Sequence, residues 1–146
     1  NDDFKKQLEP HVASVRTLNA MADAIRPMVL IVDDDDFQRK VVSTLLAAEN
    51  YRLVVASGGV EALNVLRKIQ PDLILMDIMM PDLDGIETTR RLKTMPQYAH
   101  VPVIMLTGKS EGAAVRSSKE AGAADFIVKP FDRDTLLRKI TLALHP

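Results

Sequence analysis

The sequence predicts an α/β fold in which helices cover both faces of a doubly wound, five-stranded parallel sheet. Short apolar runs without alternation recur along the chain, and such runs are typical of strands buried on both faces. Segments with an apolar stripe at helical spacing lie between these runs. Loops rich in Asp, Gly and Pro separate the two kinds of segment. Five strand–helix units therefore fit between residues 28 and 144, joined by right-handed connections.

The first 27 residues predict a helical extension that precedes this fold. Pro10 is tolerated near the start of a helix over residues 10–25, and Pro27 ends it before the first strand. Its apolar stripe consists of Leu8, Val15, Leu18, Ala22 and Ile25, with Phe4 and Val12 nearby. Either this helix packs on its own domain or forms a partly ordered connector, or it pairs with a copy of itself or with an upstream domain. We expect an extension over 1–27 and the α/β domain over 28–146.

Apolar runs rich in Val, Ile, Leu and Met predict the strands. The first run begins after Pro27, the third follows the turn at Pro71 and Asp72, and the fifth follows a glycine. We predict strands over 28–33, 51–56, 73–77, 101–106 and 125–128.

The segments between the strands predict helices over 36–49, 60–69, 86–94, 110–121 and 132–144. The apolar stripes of the first two contain Phe37, Val41, Val42, Leu45, Leu46, Val60, Leu63, Val65 and Leu66. The fourth helix is mostly alanine, serine and charge. Gly122 predicts the end of that helix, and Asp132 predicts an N-cap for the last. We expect the acidic residues Asp35, Asp36, Asp82 and Asp84 to start helices or form turns.

Composition excludes several classes of protein. With 146 residues the chain suits one domain. Its formal net charge is −1, and no lysine/arginine cluster dominates a segment, which argues against nucleic-acid binding as the function of this chain. There is no cysteine, so no disulfide or thiolate metal site is expected. No apolar stretch approaches the roughly 20 residues that span a bilayer, and no signal peptide is visible. We expect a cytoplasmic protein.

Reactive polar residues end four of the predicted strands. Asp33 and Asp34 follow the first, Asp77 ends the third, Thr107 follows the fourth and Lys129 follows the fifth. Ligands of open parallel sheets bind beyond the carboxyl ends of the strands, so these side chains are expected to converge.

This set of side chains suits a cation and phosphoryl chemistry. Three carboxylates offer the hard oxygen ligands that Mg²⁺ (or Mn²⁺) prefers, and without a cation they would repel one another. A carboxylate can also accept a phosphoryl group as an aspartyl phosphate. Lys129 and Thr107 supply a positive charge and a hydroxyl donor for the phosphoryl oxygens.

The ordered segments VLIVDD, DLILMDIMMPDLDG, MLTG and FIVKPF resemble the receiver domain of two-component response regulators, over roughly Met28 to Leu144. The resemblance implies the flavodoxin-like strand order 2-1-3-4-5, for which a receiver is a standard example. It also implies a function: a histidine kinase or histidine phosphotransfer domain donates a phosphoryl group, and the receiver changes conformation to relay the signal.

The resemblance assigns roles to individual residues. Asp77 is the implied phosphoacceptor, and Asp33, Asp34, Asp77 and the backbone carbonyl of Met79 are the implied metal ligands. Thr107 and Lys129 bind the phosphoryl oxygens, and the Lys129–Pro130 peptide bond is expected to be cis.

Three further positions are implied to act in switching or in the lifetime of the phosphorylated state. Phe126 matches the aromatic residue that moves when Thr107 is drawn inward, although a half-buried packing role stays open. Met79 and Lys109 are expected to tune self-dephosphorylation. Apolar Met79 shields the acyl phosphate, and protonated Lys109 cannot act as a general base.

Other functions share parts of this pattern. A flavodoxin-like FMN binder needs a phosphate loop rich in Ser, Thr and Gly, where this chain has four aspartates. A Mg²⁺-dependent aspartyl-phosphate phosphatase typically carries a second aspartate where Met79 lies. A degenerate receiver, acting only as an interaction module, would lack the acceptor or the acids.

For signal output we expect a surface formed by the fourth helix, the fifth strand and the fifth helix. Its charged residues are Lys119, Arg133, Arg138 and Lys139, and the alternative is that these charges form only a solvated face.

Overall fold

A computed structural model describes Leu18 and residues 26–108 and 112–146. In these residues five strands alternate with five helices. The strands are β1 (Met28–Val32), β2 (Arg52–Ala56), β3 (Leu73–Asp77), β4 (Val103–Thr107) and β5 (Asp125–Val128). The helices are α1 (Asp36–Leu46), α2 (Gly59–Val65), α3 (Gly85–Lys93), α4 (Gly112–Ala121) and α5 (Arg133–Leu144).

The strands form one parallel sheet in the order β2-β1-β3-β4-β5, which confirms the predicted fold class. Its register aligns the carboxyl ends: Val32 pairs with Met76, Asp77 pairs with Leu106, and Thr107 pairs with Val128. Polar residues that are far apart in sequence therefore lie at one edge of the sheet.

The sheet separates two apolar clusters, one on each face. Leu30, Ile74 and Met105 belong to one cluster, because alternate residues of a strand point to opposite faces. Val29 and Leu75 belong to the other, together with residues of α1 and α5. Strands β3 and β4 are buried along their whole length, as their unbroken apolar runs predicted.

Aspartates begin three of the helices, as predicted. The carboxylate of Asp35 accepts hydrogen bonds from the backbone N–H groups of Phe37 and Gln38, and Asp84 and Asp132 cap α3 and α5. Gly122 ends α4 with φ +106°, a left-handed conformation that favours glycine.

Some predicted details are wrong. The sequence pattern places Phe37 and Val60 in the apolar stripes of their helices, yet their side chains are 69% and 53% exposed. Both lie in the first turn of their helix, beside the carboxyl edge of the sheet rather than over its face. Strand β4 begins at Val103, not at residue 101, because the Val101 N–H donates to the Tyr98 carbonyl in the preceding turn.

The predicted N-terminal helix lies outside the described residues except at Leu18, which is helical and 63% exposed. The boundary at residue 27 therefore stays a prediction. Within the described part of the chain, no helix combines the length and the apolar character that crossing a membrane requires.

We expect Gly85→Ala to destabilise the protein. A Cβ atom at Gly85 would lie well under 3.0 Å from the carbonyl oxygen of Asp77, which is backbone and cannot rotate away. Overpacking of this kind costs roughly 1–3 kcal/mol or more. Gly112→Ala is the matched control, since an added Cβ there meets nothing within 4 Å. Urea unfolding of both variants tests this, and equal midpoints would contradict it.

Candidate functional site

Three aspartates gather at the carboxyl edge of the sheet. Asp33 follows β1 and is 2% exposed, and Asp77 ends β3 and is 5% exposed, whereas Asp34 is exposed. One carboxylate oxygen from each lies within 4.8 Å of the other two. The predicted convergence of these side chains is therefore present, and the cluster has the donor atoms to hold a metal ion.

Lys129 carries the positive charge of the site. Its Nζ lies 2.8 Å from Oδ1 of Asp77 and 3.5 Å from Oδ2 of Asp33. The Lys129 N–H donates to the Thr107 carbonyl at 2.6 Å, which fixes the end of β5 beside the end of β4. The Lys129–Pro130 peptide bond is cis. Thr107 is 4% exposed and lies at the same edge.

The backbone around Asp33 holds its carboxylate in place. The Asp35 N–H donates to Asp33 Oδ1 at 3.0 Å, and the Asp33 N–H donates to the Ala56 carbonyl at 3.2 Å. The Arg39 guanidinium donates to the Asp33 carbonyl oxygen at 2.5 Å and also pairs with Asp36. Sequence reasoning missed Arg39, because an arginine three residues after an aspartate reads as an ordinary surface pair.

The electrostatics of the site favour a bound cation. Burial raises the pKa of Asp77, the hydrogen bond and charge of Lys129 offset this only in part, and Asp33 and Asp34 add to the rise. Burial lowers the pKa of Lys129, but the hydrogen bonds to Asp77 and Asp33 and the negative charges of these residues outweigh burial, so the pKa of Lys129 is raised. One ammonium group therefore does not fully compensate three carboxylates, so a divalent cation has a favourable place here.

The loop between β3 and α3 passes directly beside Asp77. The Gly85 N–H donates to the Ile78 carbonyl at 2.9 Å and closes the base of this loop. Glycine is required at 85 because of the nearby Asp77 carbonyl. Met79, two residues after Asp77, has a side chain that is 69% exposed.

Other predicted residues lie outside the acidic cluster. Phe126 is partly buried, packs on the core that contains Met105, and lies under Lys139, whose Nζ is 5.4 Å from its ring centroid. Lys109 lies outside the described residues. Arg133, expected at the output surface, donates to the Leu45 carbonyl in α1 and to the Glu49 carboxylate three residues after that helix.

Chemically, this edge of the sheet combines a nucleophile with groups that stabilise anions. A cation held by the carboxylates would bind phosphate oxygens, and Lys129 and Thr107 offer an ammonium and a hydroxyl. The carboxylate of Asp77 is the one that contacts Lys129 most closely.

Comparisons with known proteins agree with this geometry. The family model of the response regulator receiver domain matches residues 29–141. The chain is 34% identical over 123 residues to the DNA-binding response regulator MtrA of Mycobacterium tuberculosis, covering 84% of this chain and 53% of that protein. It is 37% identical over 117 residues to the regulatory protein AtoC of Escherichia coli, covering 80% of this chain and 25% of that protein. The chain thus spans about half of the first relative and a quarter of the second.

Solved structures show the same fold. The chemotaxis response regulator CheY4 of Vibrio cholerae superposes with a TM-score of 0.78 at 34% identity, covering 82% of this chain and 99% of that chain. The receiver domain of the sensor histidine kinase PA1611 of Pseudomonas aeruginosa gives a TM-score of 0.77 at 28% identity, covering 83% and 99%. The latter structure has a magnesium ion coordinated in its active site cleft.

We expect Asp77→Asn to raise the thermal stability of the metal-free protein at neutral pH. Since folding raises the pKa of Asp77, its contribution to stability is present when the carboxyl is protonated and is lost as pH rises through the raised value. The uncharged amide avoids that loss. Mg²⁺ should stabilise the wild-type protein by mass action and the variant far less.

Circular dichroism melting curves with and without Mg²⁺ measure both effects. Asp72→Asn is the control, because Asp72 is exposed at the opposite edge of the sheet, where it accepts a hydrogen bond from the Met28 N–H. A variant that gains as much from Mg²⁺ as the wild type would contradict the assignment of Asp77 to the cation site.

Proposed function

The chain belongs to the response regulator receiver domain family, and from that premise we propose that it accepts a phosphoryl group on Asp77 in a Mg²⁺-dependent reaction. The donor is a phosphohistidine of a histidine kinase or histidine phosphotransfer domain. The observation that carries the proposal is the contact of Lys129 with Asp77 beside a cluster of three aspartates. The family match over residues 29–141 supports it.

The reaction transfers phosphorus from nitrogen to oxygen. A carboxylate oxygen of Asp77 attacks the phosphorus atom, the bond from phosphorus to the histidine nitrogen breaks, and the nitrogen keeps the electron pair. Asp33, Asp34, Asp77 and the Met79 carbonyl would hold Mg²⁺, and the ion would supply positive charge opposite the transferring group. Mn²⁺ has the same preference for oxygen ligands and is the natural substitute.

Two side chains stabilise the phosphoryl oxygens. Lys129, which now lies 2.8 Å from Oδ1 of Asp77, supplies a charge that stays positive because its pKa is raised. Thr107 ends β4 one strand away from Asp77 and supplies its hydroxyl as a donor. Preorganised charges and donors of this kind are the main contribution of a protein to phosphoryl transfer.

Phosphorylation then shifts the population of two conformations. The new oxygens interact with Thr107, and Phe126 occupies the space that Thr107 leaves. A phosphoryl group biases the equilibrium only through its different interaction with the two states. The position of Phe126 supports this role, since it pairs in register with Met105 on β4, the strand that carries Thr107.

The docking surface for the phosphodonor surrounds the site. Exposed apolar side chains lie on the elements that border the acidic cluster, and exposed apolar patches of this kind mark interaction surfaces. Phe37 and Val55 line one groove together with Arg39 and Lys40. We assign this groove to a helix of the histidine-containing partner and place the encounter in the cytoplasm. Pairing through the N-terminal helix, with a copy of itself or with an upstream domain, stays part of the proposal.

Acetyl phosphate should phosphorylate the protein on one residue in the presence of Mg²⁺. Intact-mass spectrometry should show a single phosphoryl adduct that disappears with a chelator and in Asp77→Asn. No adduct at saturating donor would indicate a degenerate receiver that acts as an interaction module. Steady release of phosphate from many esters without a stable adduct would indicate a phosphatase.

The phosphorylated protein should lose its phosphoryl group slowly to moderately. The exposed thioether of Met79 shields the acyl phosphate, and Lys109 offers no general base while protonated. Met79→Ala should therefore shorten the lifetime, whereas Leu142→Ala, an exposed apolar residue near the end of α5, should not. Adduct decay after removal of the donor measures this, and a wild-type half-life of a few seconds would refute it.

A further inference from the structure

The carboxylate of Asp82 joins two loops at the rim of the site. Asp82 lies in the loop between β3 and α3, and its Oδ2 accepts a hydrogen bond from the Val60 N–H at 3.1 Å. Val60 is in the first turn of α2, 22 residues away in sequence. This hydrogen bond therefore joins the loop between β3 and α3 to the first turn of α2.

Two glycines at the start of α2, Gly58 at its N-cap and Gly59 in its first turn, allow this close approach. A Cβ atom at Gly58 would lie 2.9 Å from Asp82 Oδ2, closer than real side chains come. A Cβ atom at Gly59 would meet the Thr88 hydroxyl and the Leu83 carbonyl well under 3.0 Å. The backbone of residues 58 and 59 thus lies directly against the β3–α3 loop and against α3.

Further hydrogen bonds hold the same loop on its other side. The Thr88 hydroxyl donates to the Asp84 carbonyl at 2.8 Å, and the Gly85 N–H donates to the Ile78 carbonyl at 2.9 Å. The loop is therefore closed at its base and anchored to α3. Asp82 provides the hydrogen bond that joins its tip to α2.

Asp82 is separate from the acidic cluster. The metal-competent cluster among the described residues consists of Asp33, Asp34 and Asp77. Backbone hydrogen bonds, from Leu83 first and also from Val60 and Gly59, hold the pKa of Asp82 below its usual value. Its carboxylate is thus committed to backbone N–H groups and has a structural partner of its own.

We propose that Asp82 is a positioning residue, which holds the β3–α3 loop so that the Met79 carbonyl faces the divalent cation of the acidic cluster. The inference rests on the proposed function, since it deepens the role given there to Met79. Met79 lies between Ile78 and Met80, whose side chains are buried in the core, and Asp82 fixes the tip of the loop two residues after Met80. When the tip is released, the Met79 carbonyl is held less precisely, although the three carboxylates stay in place.

The test compares Mg²⁺ affinity in three variants. Asp82→Ala removes the acceptor, Asp82→Asn keeps an oxygen that accepts the Val60 N–H, and Asp72→Ala is the matched control. Asp72 is also an exposed carboxylate that accepts a backbone N–H from a distant segment, at 2.7 Å from Met28, but at the opposite edge of the sheet. Isothermal titration calorimetry with Mg²⁺ alone gives the affinities, and melting curves without metal give the stabilities.

We expect Asp82→Ala to weaken Mg²⁺ binding about 10-fold, as loss of a residue that orients a metal ligand typically does. Asp82→Asn should bind nearly as tightly as the wild type, and Asp72→Ala should melt earlier with unchanged affinity. The phosphorylation rate of Asp82→Ala with acetyl phosphate should recover at saturating Mg²⁺.

Three results would overturn the inference. One is unchanged affinity in Asp82→Ala, and another is an equal loss in Asp72→Ala, which would reflect stability alone. The third is an equal loss in Asp82→Asn, which would reflect the negative charge. If the wild type itself binds no Mg²⁺, the proposed function fails together with the inference, whereas wild-type binding with an unaffected Asp82→Ala rejects the inference alone.

Discussion

The contact between Lys129 and Asp77 is the interaction on which the site depends. It joins the end of β5 to the end of β3 across 52 residues of sequence. Burial and two neighbouring carboxylates disfavour the charged form of Asp77, and Lys129 is the cation that opposes them. The charge of the site is not balanced, since one positive side chain faces three negative ones. A divalent cation would supply the two positive charges that are missing, and under the proposed function it would also bind the phosphoryl oxygens.

The parallel sheet makes this contact geometrically available. In-register pairing from β1 through β5 brings the strand ends to one edge, and the buried strands leave little freedom to change that register. The apolar clusters on both faces fix the sheet between the helices. The reactive side chains therefore lie together at the loops of one edge, where functional residues of such sheets commonly lie.

The loop after β3 needs a different kind of support. The buried side chains of Ile78 and Met80 anchor it in the core, and contacts at Gly85, Thr88 and Asp82 hold the rest of it. These contacts connect α2 and α3 to the cation site. Under the proposed function, a carbonyl ligand is only as well placed as its loop, so we expect small residues and a single carboxylate there to affect metal affinity.

The sequence by itself determined the fold class and the polar residues that meet at the carboxyl edge of the sheet. Unbroken apolar runs have one stable environment, a sheet covered on both faces, and their polar end residues must then meet at one edge. The helix caps Asp35 and Asp132 were also predictable, because a cap bonds backbone N–H groups only two or three residues further along the chain. Only the tertiary structure decided the bonds of Arg39, the exposure of Phe37 and the tie from Asp82 to Val60. Those features depend on which segments pack side by side, and local sequence patterns carry no information about contacts between separate loops.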